Sequence, residues 1–350
     1  MSLQETESLN NSPLGNGYFH TKDLSQSSFL ITGGAGFIGS HIAEYLLKNN
    51  ATKVRVLDNM VNGKQANLDI LRPYPAFEFI EGDIRNVDTC MQACKGIDYV
   101  SHQAALGSVP RSILEPVYFN DVNVNGFVNM LKAAVDNKIK QFVYASSSSV
   151  YGDEPTLPKK EERIGNCLSP YAATKKTNEL YAQVFADVYG IKTLGFRYFN
   201  IFGPRQDLDG AYAAVIPLFV KGLMENTPVY INGDGGQTRD FTFIENAVQV
   251  NIKGMLTDNA AALNKVYNVA VGENFSVNHL FNACKDHLQS SAAPVYREPR
   301  AGDIRNSLAD ISLAENLLGY QPSKKFEEGL TETIEFFRIK YAEKETANQA

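Results

Sequence analysis

Phe29-Leu-Ile-Thr-Gly-Gly-Ala-Gly-Phe-Ile-Gly-Ser40 decides how this chain is read. An apolar run, Phe29 to Ile31, leads into glycines spaced three apart, Gly33, Gly36 and Gly39, and an amphipathic segment, His41 to Leu47, follows at once. That order predicts strand, glycine turn and helix. Gly33 permits a tight turn, Gly36 lets the backbone approach a pyrophosphate, and Gly39 lets the helix pack close to the strand. The helix N-terminus then offers N–H groups and the positive end of its dipole to phosphates. A second apolar run, Val54 to Leu57, ends in Asp58. This places a carboxylate about 20 residues past the turn, where it accepts from both ribose hydroxyls and repels the extra phosphate of NADP. The reading is an NAD site.

Outward from this stretch, Ser28 to about Asn200 alternates short apolar strands with helical patterns. Strands are predicted at 28–32, 54–57, 77–80, 98–102, 141–146 and 192–199. Helices are predicted at 37–49, 87–95, 115–137 and 170–189. Such alternation predicts a Rossmann-like α/β fold, a doubly wound parallel sheet with ligands beyond the carboxyl ends of its strands. Past Pro204 the alternation loosens: helices near 212–225, 244–257 and 276–290, and strands near 229–231, 240–243 and 265–269, suggest a smaller substrate lobe. The division expected is an extension over 1–26, a dinucleotide domain over 27–205 and a C-terminal lobe over 206–350, some of whose segments return to the first domain.

The residues after each strand carry the chemistry. Asp83 follows the third strand and reads equally as an adenine contact or a helix N-cap. His102, at the end of the fourth, reads as a packed histidine rather than a catalytic one. The fifth strand runs into Ser146-Ser-Ser-Ser149, more serines than a polar turn needs. Ser169-Pro-Tyr171-Ala-Ala-Thr-Lys175 then opens a helix, with Tyr171 and Lys175 on one face at i and i+4. The Lys175 ammonium is expected to lower the Tyr171 pKa and make the phenol a usable base, while a serine of the fifth strand holds a substrate hydroxyl.

The remaining totals exclude other classes. Of 350 residues, 44% are hydrophobic and 21% charged, as in an ordinary soluble globular protein. A net charge of −6 offers no basic surface for nucleic acid or anionic membrane. No apolar run approaches the roughly 20 residues of a membrane span. The polar stretch Met1 to Gln26 has no signal-peptide core, although Tyr18 and Phe19 can dock on the domain. Cys90, Cys94, Cys167 and Cys284 show no metal spacing and read as reduced thiols of a cytoplasmic protein.

Taken together, the glycine turn, Asp58, the serine strand, Tyr171-x-x-x-Lys175 and Arg197-Tyr-Phe-Asn200 resemble the extended short-chain dehydrogenase/reductases from about Ser28 to about Tyr341. Four stretches narrow the likeness to UDP-hexose 4-epimerases, especially those acting on UDP-N-acetylglucosamine: Ala105-Leu-Gly-Ser-Val-Pro-Arg111, Ser169 to Lys175, Gly210-Ala-Tyr-Ala-Ala-Val-Ile-Pro217 and Val229-Tyr-Ile-Asn-Gly-Asp234.

That resemblance implies roles by position. Ser147, Tyr171 and Lys175 form the catalytic set, and Lys175 also holds the nicotinamide ribose. Gly33, Gly36, Phe37, Ile38, Asp58, Asn59, Asn62, Gly63, Asp83, Ile84, Gln103, Ala104, Ala105 and Tyr198 line the NAD site. For the UDP-sugar, Asn200, Arg239 and Arg300 fall at the diphosphate, Asp303 at the uridine ribose, and Tyr230 and Ile231 beside the uracil, with Asn232 and Val215 nearby. Ser147 and Ser148 stand at the hexose, and Gly107, Ser108, Ser149, Asn200 and Ala214 line a pocket for a 2-acetamido group. Ser307 stands where members restricted to plain hexoses carry a bulky tyrosine, leaving room for a 2-acetamido group.

The reaction implied is 4-epimerisation of UDP-GlcNAc and UDP-GalNAc through a 4-keto sugar on retained NAD, extending to UDP-Glc and UDP-Gal and supplying surface polysaccharide or O-antigen precursors. A homodimer through four helices, two from each subunit, is implied as well. Three other readings stay open. One is the same chemistry on UDP-N-acetylhexosaminuronic acids. A second is a related nucleotide-sugar dehydratase or decarboxylase, although Ser147-Ser148 stands where a 4,6-dehydratase carries an Asp-Glu doublet. The third is a non-catalytic NAD-binding regulator.

Overall fold

The computed structural model describes residues 19–208, 214–299 and 305–349. Seven strands form one parallel sheet: β1 (Ser28–Thr32), β2 (Lys53–Asp58), β3 (Phe77–Glu81), β4 (Tyr99–His102), β5 (Gln141–Ser147), β6 (Thr193–Tyr198) and β7 (Lys265–Val269). Their order across the sheet is β7-β6-β5-β4-β1-β2-β3, so the chain winds outward from β1 in both directions. The reversal lies between β1 and β4, which pair with Phe29 opposite Tyr99. A crevice for a ligand opens at such a switch point, beyond the carboxyl ends of the strands.

β1 is buried throughout. Strands covered by helices on both faces read as continuous apolar runs, which is how they appear in this sequence. One core layer joins Phe29, Ile31, Ile42, Leu46 and Val56 to Val248, Ile252 and Tyr267. The other joins Leu30, Val100, Phe119, Phe127, Leu131, Phe142 and Phe185. A third core, around Phe202, Phe219, Phe243, Leu280 and Phe326, carries the smaller lobe. β7 lies far along the chain yet closes the first sheet against β6, and helix Ile244–Leu256 packs into the first sheet's core.

Two local outcomes differ from the sequence reading. The helix expected over 115–137 is broken into Pro116–Asn120, a π-helical turn Asp121–Asn125 and Gly126–Asp136, preceded by Val109–Leu114. Pro116 can only open a helix, and the widened turn frees Asn123 for tertiary bonds. The strand expected near 240–243 is two short pieces, Thr238–Arg239 and Thr242–Phe243, paired with different partners. Phe19 stacks on Tyr45 with ring centroids 5.3 Å apart, while Tyr18 lies outside the described residues. Among the described residues no helix is long and apolar enough to cross a membrane. Cys90, Cys94 and Cys284 are buried, Cys167 is half-buried, and all four are free thiols.

Candidate active site

Close packing dictates the glycine turn. Gly33 has φ +68°, and a Cβ there would lie 2.7 Å from the Ala104 backbone nitrogen. At Gly39 a Cβ would meet the Gly33 carbonyl at 2.4 Å. The helix Phe37–Lys48 that starts here has no side-chain cap, so its first N–H groups, at Phe37 and Ile38, face the crevice without a protein side chain to serve them. Asp58 ends β2 and accepts from Ala35 N–H at 3.0 Å and Met60 N–H at 2.9 Å. Burial pushes its carboxyl above the ordinary value, and the two N–H groups oppose that rise. The Lys64 N–H donates to the Ala35 carbonyl at 3.0 Å, drawing the Asn62-Gly63 loop over the turn. Asn67, which the sequence reading missed, donates to the same carbonyl at 2.9 Å.

Asp83 is held by Arg85 at 2.8 Å and accepts from Asn59 at 2.9 Å, and its carboxyl falls to about 2, with the Arg85 hydrogen bond as the largest cause. The cap of the following helix is Asn86, which accepts from Thr89 N–H at 2.9 Å, so the N-cap alternative for Asp83 does not hold. The Ile84 side chain is buried in the second core layer. An uncapped helix N-terminus, a backbone crowded against Gly33 and a buried carboxylate at the end of β2 together fit a dinucleotide.

His102 is buried, bonds Thr32 Oγ1 at 2.9 Å through Nδ1 and stacks on Phe142. Burial drives its pKa to about 3, which removes it as a proton carrier near neutrality. Gln103 and Tyr198 are tied together: the Tyr198 hydroxyl donates to Gln103 Oε1 at 3.1 Å and accepts from Asn251 at 2.7 Å. Asn251 comes from helix Ile244–Leu256, and no local pattern in the sequence signals it. Ala104 and Ala105 are half-buried beside this network.

The proton-handling group gathers at the end of β5. Ser147 accepts from the Ser149 N–H at 3.1 Å and from the Ser149 hydroxyl at 2.9 Å. Ser169 caps helix Pro170–Tyr189, so Tyr171 enters in its first turn. Burial raises the Tyr171 pKa and a hydrogen bond with Ser147 partly offsets the rise. This corrects the expectation that Lys175 lowers it: the Lys175 Nζ lies 6.0 Å from the Tyr171 ring centroid and donates to the Ala145 carbonyl at 2.9 Å. Lys175 itself falls to about 8 through burial.

One turn further along the same helix face, Glu179 meets Arg197 of β6 in a two-pronged ion pair at 2.8 and 2.9 Å and accepts from Ser146 at 2.7 Å. The pair clamps the helix that carries Tyr171 and Lys175 to the strand end that carries Ser147. Asn123 is a second clamp that the sequence reading did not find. It accepts from Leu106 N–H at 2.8 Å and donates to Thr174 at 3.1 Å, tying the loop after β4 to the catalytic helix. The only sequence signal for it is Pro116 interrupting the helical pattern.

Around this center, Gly107 faces open space and Ser108 caps Val109–Leu114. Ser148 and Ser149 lie in a 3-10 turn, and Ala214 and Val215 open another helix with no side-chain cap. Asn200, at φ +38°, donates to the Asp240 carbonyl at 2.9 Å. Arg239 Nη1 donates to the carbonyls of Thr238 and Arg305 at 2.8 and 3.2 Å. Ser307 is half-buried, and its N–H donates to the Thr238 carbonyl at 3.1 Å. Tyr230 is exposed, with the Arg297 guanidinium 3.1 Å above its ring. Ile231 departs from expectation: its side chain lies in the core of the smaller lobe because alternation along the strand turns it inward, leaving only its backbone for a base. Asn232 donates no side-chain bond to the described residues but gives its carbonyl to Gln237 at 2.8 Å. Arg300 and Asp303 lie outside the described residues. Among the described residues no group of three or more His, Cys, Asp or Glu is arranged to hold a metal ion.

The profile of the NAD dependent epimerase/dehydratase family matches residues 29–270. A putative UDP-glucose 4-epimerase of Methanocaldococcus jannaschii is 36% identical over 88% of this chain and 98% of its own length. The UDP-N-acetylglucosamine 4-epimerase of Methanobrevibacter ruminantium, solved with UDP-N-acetylmuramic acid, superposes with a TM-score of 0.85 at 40% identity over 91% of this chain and all of that one. The UDP-glucose 4-epimerase of Thermotoga maritima, solved with UDP-glucose, gives 0.84 at 34% identity over 90% and 99%. The profile runs from β1 through β7 and so takes in both the dinucleotide turn and the Ser147–Tyr171–Lys175 group. The chain belongs to the NAD dependent epimerase/dehydratase family and uses that family's cofactor, NAD.

Proposed function

We propose that this protein interconverts UDP-GlcNAc and UDP-GalNAc at C4 of the sugar, and accepts UDP-Glc and UDP-Gal as well. The observation that carries the reading is the gathering of Ser147, at the end of β5, with Tyr171 and Lys175 on one face of helix Pro170–Tyr189, in the same sheet as the glycine turn. NAD, when bound, supplies reversible oxidation of the sugar carbon. Tyr171 takes the proton of the 4-hydroxyl and returns it after the 4-keto sugar has turned over. Ser147 orients that hydroxyl and donates to the developing keto oxygen. Lys175, one helical turn on from Tyr171, donates to the Ala145 carbonyl and is placed to hold the nicotinamide ribose. Asn200 and Arg239 anchor the diphosphate, which leaves the hexose free to present either face.

The acetamido preference is supported by Ser307, a small residue hydrogen-bonded through its backbone beside Arg239, and by the 40% identity with a UDP-N-acetylglucosamine 4-epimerase. Incubating the purified protein with UDP-GlcNAc and UDP-Glc separately, with no added NAD, and resolving products by NMR tests both parts. UDP-GalNAc forming faster than UDP-Gal is the expected result. UDP-Gal alone removes the acetamido preference, and no product from either removes the epimerase reading.

The protein is also proposed to act as a homodimer. Helices Val109–Leu114 and Pro116–Asn120 pack along Pro170–Tyr189, and their outer faces expose Ile113, Leu114, Val117, Leu180, Val184 and Val188, with Val117 81% exposed. An apolar face of this kind marks an association surface. Light scattering at micromolar concentration should give twice the chain mass of 38.6 kDa. A monomer under those conditions removes the dimer.

A further inference from the structure

Asp240 takes no part in the scheme above, yet three substrate residues are each tied to it or to its neighbours. It is fully buried. Its carboxylate accepts Val271 N–H at 3.0 Å on one oxygen, and Gly272 N–H at 3.1 Å and Ala309 N–H at 3.3 Å on the other. Val271 and Gly272 lie just past the carboxyl end of β7, and Ala309 lies two residues past Ser307. The Asp240 carbonyl accepts the Asn200 side-chain amide at 2.9 Å, and Asn200 lies just past the carboxyl end of β6. Arg239 is the preceding residue, and Ser307 N–H bonds Thr238 at 3.1 Å. Three segments therefore converge on one buried residue, two on its carboxylate and the Asn200 loop on its backbone carbonyl.

We propose that Asp240 is a positioning residue for the substrate: its carboxylate fixes it to the Val271-Gly272 and Ala309 segments, and its carbonyl takes Asn200, so that Asn200, Arg239 and Ser307 stand at the spacing that a nucleoside-diphosphate sugar requires, without Asp240 touching that sugar. The inference rests on the UDP-sugar reading. Only an acceptor-only group satisfies all three N–H groups: above about pH 7, where Asp240 is ionised, its carboxylate offers lone pairs to each, whereas an asparagine must turn its NH₂ toward at least one of them. A buried N–H left facing another donor forces its loop to move. The loops that move carry the diphosphate ligands, and the dinucleotide turn is untouched.

Asp240→Asn is the test, with UDP as the binding probe in calorimetry and UDP-GlcNAc in steady-state kinetics. The expected result is a Kd for UDP and a KM each raised about tenfold, kcat within about threefold of wild type, and NAD content unchanged. In an Asn200→Ala background the same substitution should weaken UDP binding by much less than it does alone, since both act through one anchor. Wild-type KM and Kd in Asp240→Asn overturn the proposal, as does a loss confined to kcat or full additivity with Asn200→Ala. Should Asp240→Asn fail to fold, hydrogen exchange on the wild-type protein decides. UDP must increase protection of the Val271, Gly272 and Ala309 amides, and unchanged exchange overturns the proposal. A wild-type protein that binds no UDP overturns this inference and the UDP-sugar reading together, whereas normal binding with an indifferent Asp240→Asn overturns this inference alone.

Discussion

Between β1 and Asp83 the groups facing the cofactor crevice are placed within one strand-turn-helix repeat: Asp58 is fixed by Ala35 and Met60, and Asp83 by Asn59 and Arg85, all within 24 residues. Around Asp240 the opposite holds. Asn200, Val271 and Ala309 meet there from 31 to 69 residues away. The first region repeats one local unit, strand then turn then helix, packed at its turn against Ala104. The second consists of short strand pieces that have no geometry until the rest of the lobe has folded. Local construction suits a cofactor that characterises the family, and long-range construction lets a substrate pocket change by altering one loop at a time.

The Tyr171→Phe substitution should separate the two regions most sharply. Removing the phenolic proton carrier is expected to cut turnover by roughly 10²–10⁴-fold while NAD stays bound, as read by NMR product formation and by cofactor released on denaturation. Turnover near wild type would dissolve the division between binding and chemistry.

Glu179→Gln probes the seam joining them. It leaves the Arg197 guanidinium, 1% exposed, without its carboxylate, and breaking such a pair costs about 3–5 kcal/mol. Urea unfolding should show that loss, and an unchanged midpoint would mean that the Tyr151 ring, 4.9 Å from the guanidinium, and the Glu161 carbonyl, which accepts from Nη1 at 3.0 Å, suffice to hold Arg197.

Ser307→Tyr addresses the substrate side alone. UDP-GlcNAc turnover should fall by roughly 10–200-fold with UDP-Glc turnover retained. Equal loss of both would show that Ser307 does not form the wall of the acetamido pocket.

The smallest effect expected is a pH dependence of stability. Burial raises the Asp240 carboxyl to about 7, and its three N–H partners oppose the rise. The folded state therefore binds this proton more tightly than the unfolded chain, so the contribution is fully present below the ordinary carboxyl value near 3.8 and is lost as pH rises through about 7. Asp240→Asn should abolish that decline, measured as the difference between wild-type and variant unfolding free energies at several pH values. Parallel curves would place the titration elsewhere.

How much of this was legible beforehand follows the same division. The six strands up to Tyr198 and the Tyr171–Lys175 face could be read because apolar runs and i, i+4 spacing are local properties. Asn123, Asn251 and Asp240 could not, because each acts on segments distant in the chain and nothing in its own neighbourhood differs from an ordinary polar residue. The inward turn of Ile231 was missed because a three-residue strand gives too few alternations to assign a face. The direction of the Tyr171 pKa was misjudged for a related reason: helical spacing puts Lys175 on the same face, but only the packed fold reveals that its Nζ turns to the Ala145 carbonyl and that burial raises the phenol.

By itself, then, the amino-acid order determined a parallel α/β sheet, a dinucleotide turn with its ribose carboxylate, and a Ser–Tyr–Lys group, since strand, helix and turn preferences depend on adjacent residues. The tertiary structure decided that β7 closes the first sheet, that Glu179–Arg197 locks the helix bearing Tyr171 to the sheet, and that the buried Asp240 carboxylate joins Val271, Gly272 and Ala309. Those outcomes depend on which distant segments exclude water from one another, and burial is a property of the assembled chain.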